Sequence, residues 1–302
     1  MSDAILSTKA WYHELAELIR YSQDKRFLHL LSRSCERISH YDSTLITAYP
    51  RQMRPVHLYN NTPPEQIGRT LTPYFTGAYL LDPFYALCQN QAPSGIYHLS
   101  DIAPDGFYDG EYFKNYYADT QLCDEAAILI GINADLFVLV SLGLRDQDLT
   151  PGTAFANPMG AANKPLRQLQ AITPTLVALC QQLWSEGADG NEMISGKSHQ
   201  PNYGASLDRT FLNFGKAFLS ARECEVVRLI LKGHSSKSIA RVLEISPDTV
   251  KVHRKRLHAK LQINSQAELF SLFLDAITLT PIDSNDDPLT LYFAEHPLIQ
   301  AY

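Results

Sequence analysis

Apolar residues recur at helical spacing in Trp11, Tyr12, Leu15, Leu18 and Ile19, and again in Phe27, Leu28, Leu31, Cys35 and Ile38. That period predicts two opening helices. Ser43–Tyr49 and Val56–Tyr59 then read as short strands around the turn-rich Pro50–Pro55, and Pro63-Pro64 breaks regularity. Tyr74–Asn90 reads as helical, with a kink or fresh start at Asp82-Pro83. Gly95–Leu99 reads as a strand and Gly110–Asp119 as a short aromatic helix. The β-rich runs Ala126–Ile132 and Leu136–Leu144 flank Asn133-Ala134-Asp135, a hairpin signal, and Leu166–Leu183 returns to the helical period. Helices on both sides of an antiparallel sheet make an α/β/α sandwich.

The pattern changes after residue 184. Ser185–Ser206 carries four glycines and no sustained apolar period, so it reads as a linker. An all-α module of four helices follows at 207–277, and a tail at 278–302. The fold class is therefore α+β: a sandwich at 1–184, a linker at 185–206, and a helical module. In that module Ser220-Ala221-Arg222-Glu223 has the form of a capping box, Gly233 ends the first helix, and Ser235 or Ser236 caps the second. Ser246-Pro247 supplies a cap and a first-turn proline for the third, and Ser265-Gln266-Ala267-Glu268 is a second capping box. The tail joins an acidic link, Asp283–Asp287, to Leu289, Leu291, Phe293, Leu298, Ile299 and Tyr302. So many large apolar groups predict docking on a surface.

Charge is unevenly distributed. The chain of 302 residues has a net charge of −6, but Lys216–Asn264 alone is +7 and the remainder −13. Five of those basic residues lie between 251 and 260 with no acid among them. A compact basic module on an acidic body suits a polyanionic partner. With 45% apolar and 19% charged residues, global disorder is excluded. No apolar stretch approaches a membrane span, and Met1-Ser2-Asp3-Ala4 lacks the basic start and apolar core of a secretory signal. Five scattered cysteines without a Cys-x-x-Cys exclude a disulfide scaffold, give no zinc pattern, and point to a reducing cytoplasm. The chain holds no P-loop, Gly-x-Ser-x-Gly, His-Glu-x-x-His or dinucleotide glycine pattern, so neither an enzyme nor a cofactor is expected. A phosphoacceptor receiver domain is excluded by the helical opening.

Leu219–Phe270 resembles the LuxR-type helix-turn-helix of bacterial transcriptional regulators. The residues that carry the likeness are Leu219-Ser-Ala-Arg-Glu223, Lys232-Gly233-His-Ser-Ser-Lys237, Ile239-Ala240, Ile245-Ser246, Thr249-Val-Lys-Val-His-Arg254 and Lys260-Leu261. Ser236, Ser238 and Gln266 depart from the family's usual Asn, Glu and Arg. The resemblance implies double-stranded DNA as partner, with Lys251, Val252 and Lys255 facing bases and Thr249, Arg254, Arg256 and Lys260 nearer phosphate. It also implies a homodimer, through the fourth helix in many members, and RNA polymerase as a candidate contact. The alternative is an interaction module whose basic helix meets a protein.

The sandwich resembles sensor domains of the GAF or PAS kind, which implies a small-molecule effector. Tyr79-Leu-Leu-Asp82-Pro83, then Pro93 and Tyr97, also resembles the Tyr…Asp-Pro…Pro…Trp run of acyl-homoserine-lactone-binding domains, with Tyr97 at the tryptophan's spacing. There the aspartate accepts from the ligand amide; a helix cap with a proline start accounts for Asp82-Pro83 equally well. Seven aromatic residues crowd Tyr97–Tyr117, interleaved with carboxylates. Tyr79, Asp82, Tyr97, Tyr112 and Tyr116 are the candidate ligand residues, a set suited to a cation, while plain packing of a lid on the sheet is the alternative. Asp124-Glu125 reads as a solvated strand entry.

Overall fold

The structure is a computed structural model describing residues 8–145, 163–185 and 209–296, apart from 40, 52, 118–119, 121 and 282–283. The region read as a linker lies outside the described residues from 186 onward.

The opening helices are α1 (Thr8–Arg20) and α2 (Phe27–Ser39). Strands β1 (Ser43–Pro50), β2 (Val56–Asn60), β3 (Gly95–His98), β4 (Leu122–Asn133) and β5 (Leu136–Arg145) form an antiparallel sheet in the order β2-β1-β5-β4-β3. Side chains alternate between its faces. Ile46 and Ala48, Ala126, Ile128 and Ile130, and Val138, Val140 and Leu142 face α1, α2 and the long α6 (Asn163–Ser185). Tyr49, Ala127, Leu129, Phe137 and Leu139 face α3 (Pro64–Thr76), a 3-10 turn at Ala78–Leu81, α4 (Pro83–Gln89), the four-residue α5 (Leu99–Ile102) and a π turn at Phe113–Tyr117. The expected sandwich is present. Pro63-Pro64 differs from its reading as a break: Pro64 occupies the first turn of α3, where its missing N–H costs nothing. At Asp82 the chain does restart, because its carboxylate accepts from the Phe84 amide at 2.8 Å and caps α4.

The C-terminal module contains α7 (Ala221–Leu231), α8 (Ser236–Val242), α9 (Pro247–Leu261) and α10 (Gln266–Leu279). The caps hold. Ser220 and Glu223 form the reciprocal box, and Ser235 caps α8 and Ser246 caps α9. Ser265 caps α10, while Glu268 reaches back to the Asn264 amide, one residue earlier than a standard box. Gly233 ends the first helix at φ +86°, and Gln262 ends α9 at φ +55°.

The tail docks. Helix α11 (Pro288–Glu295) buries Leu289 completely and sets Phe293 against Phe218. Asp287 carries the joint. One oxygen accepts from the Gly215 amide at 2.9 Å and the Leu289 amide at 3.0 Å, and the other from the Ala217 amide at 2.7 Å. Asp287→Ala is expected to destabilise the module by about 1–3 kcal/mol, since it strands amides in a buried setting. Leu289→Ala should cost about 2–5 kcal/mol. Denaturant unfolding of both variants checks this; wild-type midpoints would show that the tail contributes nothing.

Candidate functional sites: a basic reading helix and a buried carboxyl cavity

On α9, Val250, Leu257 and Leu261 are buried against the module's own core. The opposite face exposes Thr249, Lys251, Val252, Lys255 and Arg256. Val252 is 47% exposed, a large apolar group for which the fold provides no cover. Lys251 pairs with Asp248, itself exposed, at 2.9 Å. Two of the expected phosphate contacts are engaged inside the module. Arg254 bridges Ser236 Oγ and Gln266 Oε1 at 3.4 and 3.1 Å, so the Ser and Gln that depart from the family pattern still form a polar link. Lys260 Nζ lies 2.7 Å from Oε2 of the buried Glu223. Burial alone would raise the Glu223 pKa, but the Lys260 ammonium and the Ser220 amide hold it below the usual carboxylate range.

The second site lies on the other domain's sheet face. Small residues make its floor: Gly143 pairs with Ser43 on one side and Glu125 on the other, and Ser141 pairs with Leu45. A Cβ at Gly143 would lie 2.4 Å from Leu122 Cδ2. Gln66, Thr70, Leu71 and Tyr74 of α3, with Asp82, form the roof; Tyr112, Tyr117 and Leu122 form the walls. The cavity is partly open to solvent and holds about 60 Å³.

Two buried carboxyls face this space. Tyr74 donates to Asp82 Oδ2 at 2.7 Å and is itself hydrogen-bonded to Tyr49; Tyr117 donates to Glu125 Oε2 at 2.5 Å. Burial pushes the Asp82 pKa up to about 6 against the pull of Tyr74 and the Phe84 amide. Burial, with Asp82 as a like-charged neighbour, pushes Glu125 up to about 8 despite Tyr117. Glu125 is thus mostly protonated at neutral pH.

Of the candidate ligand residues, the structure brings Asp82 and Tyr112 together at the cavity. Tyr79 is instead a core residue, packed edge-on against Tyr85 with ring centroids 4.9 Å apart. Tyr97 lies on edge strand β3 and donates to the Pro93 carbonyl at 2.7 Å, away from the cavity. The Tyr116 side chain lies outside the described residues. Sequence reading missed Tyr74, Tyr117 and Glu125, and the solvated reading of Asp124-Glu125 is corrected: both are buried. Adjacent strand residues face opposite ways, so Asp124 meets Tyr41 at 2.9 Å and His98 Nε2 at 2.8 Å. That ion pair raises the His98 pKa. The signal available was the position of β4: a strand covered on both faces has no solvated entry. The aromatic residues do pack as a lid, with Phe107 in edge contact with Tyr108 and Tyr117.

Residues 217–273 match the family described as bacterial regulatory proteins, luxR family, and this module is a LuxR-type helix-turn-helix domain. An HTH-type transcriptional regulator in the exeN 3′ region of Aeromonas salmonicida is 27% identical over 207 residues, 68% of this chain and all of that protein. The nitrate/nitrite response regulator protein NarP of Escherichia coli K12 is 36% identical over 93 residues; the match spans 29% of this chain and 40% of that protein. Among solved structures, the VqsR LBD domain of Pseudomonas aeruginosa covers 60% of this chain and 98% of its own at 22% identity and a TM-score of 0.48. The matched family and these two sequence relatives are regulators, not enzymes. No helix among the described residues is long and apolar enough to cross a membrane, and no cluster of metal-ligating side chains occurs among them.

The raised carboxyl pKa values fix the sign of a pH effect. A carboxyl whose folded pKa exceeds its unfolded value contributes stability below the unfolded value, near pH 4, and loses it as pH rises through the folded value. The melting temperature of the N-terminal domain should therefore fall between about pH 4 and pH 8, the window set by Asp82 and Glu125. Glu125→Gln should flatten the upper part of that fall. Equal slopes for wild type and variant in calorimetry would contradict the assignment.

Proposed function

We propose that the chain is a sequence-specific, DNA-binding transcription regulator controlled by a small-molecule effector held in the N-terminal cavity. The observation that carries the DNA reading is the outer face of α9, where Lys251, Val252 and Lys255 project from a capped, buried-backed helix with no structural duty. A helix of this kind fits the roughly 12 Å major groove, with its first turns at the base edges. Lysine donates to guanine O6 or N7, and the valine methyls suit a thymine methyl. Thr249 and Arg256 flank these residues and serve phosphate, as do Arg254 and Lys260 to the extent that their internal bonds leave donors over.

Lys251→Ala or Lys255→Ala should weaken a preferred site by about 1–3 kcal/mol and relax its base preference. Arg256→Ala should weaken all sequences alike and reduce the salt slope by about 0.9. Lys260→Ala should lower the melting temperature by unpairing buried Glu223, with a smaller effect on the salt slope. Titrations of labelled duplexes at several salt concentrations check all four. Equal losses on every sequence, or a salt-independent affinity, would favour a protein partner for the basic helix.

The effector reading rests on Asp82 and Glu125 beside Tyr74, Tyr112 and Tyr117, which suit an ammonium or N–H donor, while Arg145 on the same lining offers a donor to an acceptor elsewhere on the ligand. A cation seated there would draw the carboxyls into their ionised forms and release protons. Primary amines and betaines should raise the melting temperature of the wild type, Asp82→Asn should abolish the shift, and DNA binding by that variant should persist. A shift with acyl lactones and none with amines would favour the lactone-binding resemblance. The intact regulator is taken as a cytoplasmic homodimer, with RNA polymerase as a further contact.

A further inference from the structure

The cavity lid and the helix-turn-helix are joined by one short loop. Pro104–Gly110 runs directly into the aromatic lid and makes a turn in which the Phe107 amide donates to the Pro104 carbonyl and the Gly110 amide to that of Phe107. Asp105 reaches the helical module. Its Oδ1 accepts from the Ser235 amide at 3.0 Å and its Oδ2 from the Ser235 hydroxyl at 2.5 Å. Ser235 is also the cap of α8, and its neighbour Ser236 touches Arg254 of α9.

The backbones meet without side chains between them. A Cβ at Gly106 would lie 2.9 Å from the Gly233 carbonyl oxygen and 3.0 Å from the Ser235 nitrogen. One at Gly233 would lie 2.9 Å from Phe107 Cα. A second contact joins the domains where a Cβ at Gly77 would come 3.2 Å from Ile277 Cγ2 of α10. A single cluster of buried apolar residues runs from the sheet face through Phe107 into the module's core.

The loop is also acidic. Asp101, Asp105, Asp109 and Glu111 fall in a stretch with no Lys or Arg between Arg69 and Lys114. Of these, Asp105 lies directly on the cap of α8, and Ser236, next to that cap, touches Arg254 on the helix proposed to meet DNA. The loop ends where the cavity wall begins: Tyr112 and Tyr117 line a space of about 60 Å³. That is far below the roughly 300–1,000 Å³ of ligand clefts, so seating a ligand of that size requires the lining to move, and Tyr112 and Tyr117 belong to that lining.

We propose that the Pro104–Gly110 loop is an autoinhibitory latch that clasps the helix-turn-helix at Gly233–Ser235 and lets go when the lid shifts. The inference rests on the DNA-binding reading above. The latched state holds the module against an acidic surface of its own chain, and DNA and the latch compete.

The test uses the full chain and a short duplex that it selects from a random-sequence pool. Asp105→Ala removes the two hydrogen bonds and one charge. Gly106→Ala changes no charge and acts only by the clash of its methyl with the Gly233 and Ser235 backbone. Both should tighten DNA binding by about fivefold or more, and both should speed amide hydrogen exchange at residues 233–238 while the amides of α9 stay protected. Faster exchange with unchanged or weaker DNA affinity in both variants would overturn autoinhibition. Unchanged exchange in both would show that the clasp does not form in solution and would overturn the latch itself. If neither wild type nor variants select any duplex, the DNA-binding reading falls, and the exchange result still decides whether the clasp forms.

Discussion

Glu125 and Asp124 sit side by side on β4, and both faces of that strand are covered. An ionised carboxylate in such a place needs a partner on its own side, or it takes up a proton. The two residues meet this demand differently. Asp124 has His98 Nε2 at 2.8 Å and the Tyr41 hydroxyl at 2.9 Å as partners on its own side. Glu125 has Tyr117 and a second carboxyl, so it is held protonated at neutral pH. The small residues opposite it, Ser43, Ser141 and Gly143, leave room that the carboxyls keep polar. Much of the N-terminal domain follows from this: tyrosines that satisfy the carboxyls form the lid, and the lid's leading edge touches the second domain.

The helical module was almost wholly legible because its determinants are local. Caps, terminating glycines and a first-turn proline each act within four residues, so Ser220, Ser246 and Pro247 could be placed by inspection. The hairpin of β4 and β5 and both opening helices were legible for the same reason. The tail's docking was legible only in outline. The apolar content foretold the burial of Leu289 and Phe293, whereas the use of Asp287 to hold Gly215 and Ala217 required knowing that segments 70 residues apart meet.

The cavity was half legible. Asp82 could be read because an Asp-Pro step announces itself, and Tyr112 because aromatic residues cluster there. Tyr74, Tyr117 and Glu125 could not, since their significance arises from pairing across the sheet and between layers. Tyr79 and Tyr97 looked equivalent to them in sequence, yet one fell into the core and the other on an edge strand. Lys260 and Arg254 show the same effect in the module. Basic residues beside a reading face looked like phosphate contacts, and the fold also commits them to Glu223, Ser236 and Gln266.

The apolar surplus of α10 bears on assembly. Leu269, Phe270, Leu272, Phe273, Ala276 and Ile277 are all buried within one chain, where they meet the module's core and, through Ile277, the N-terminal domain. A face already covered at interior packing density offers little further gain by pairing with a second copy. An α10 dimer formed without domain movement would use the exposed outer face of Ala267, Glu268, Ser271, Asp275 and Thr278. A dimer that recruited Ile277 would require the domains to part at Gly77 first. A dimer built on the outer surfaces of α1 or α6 carries no such condition, because neither helix takes part in the contact between domains described here.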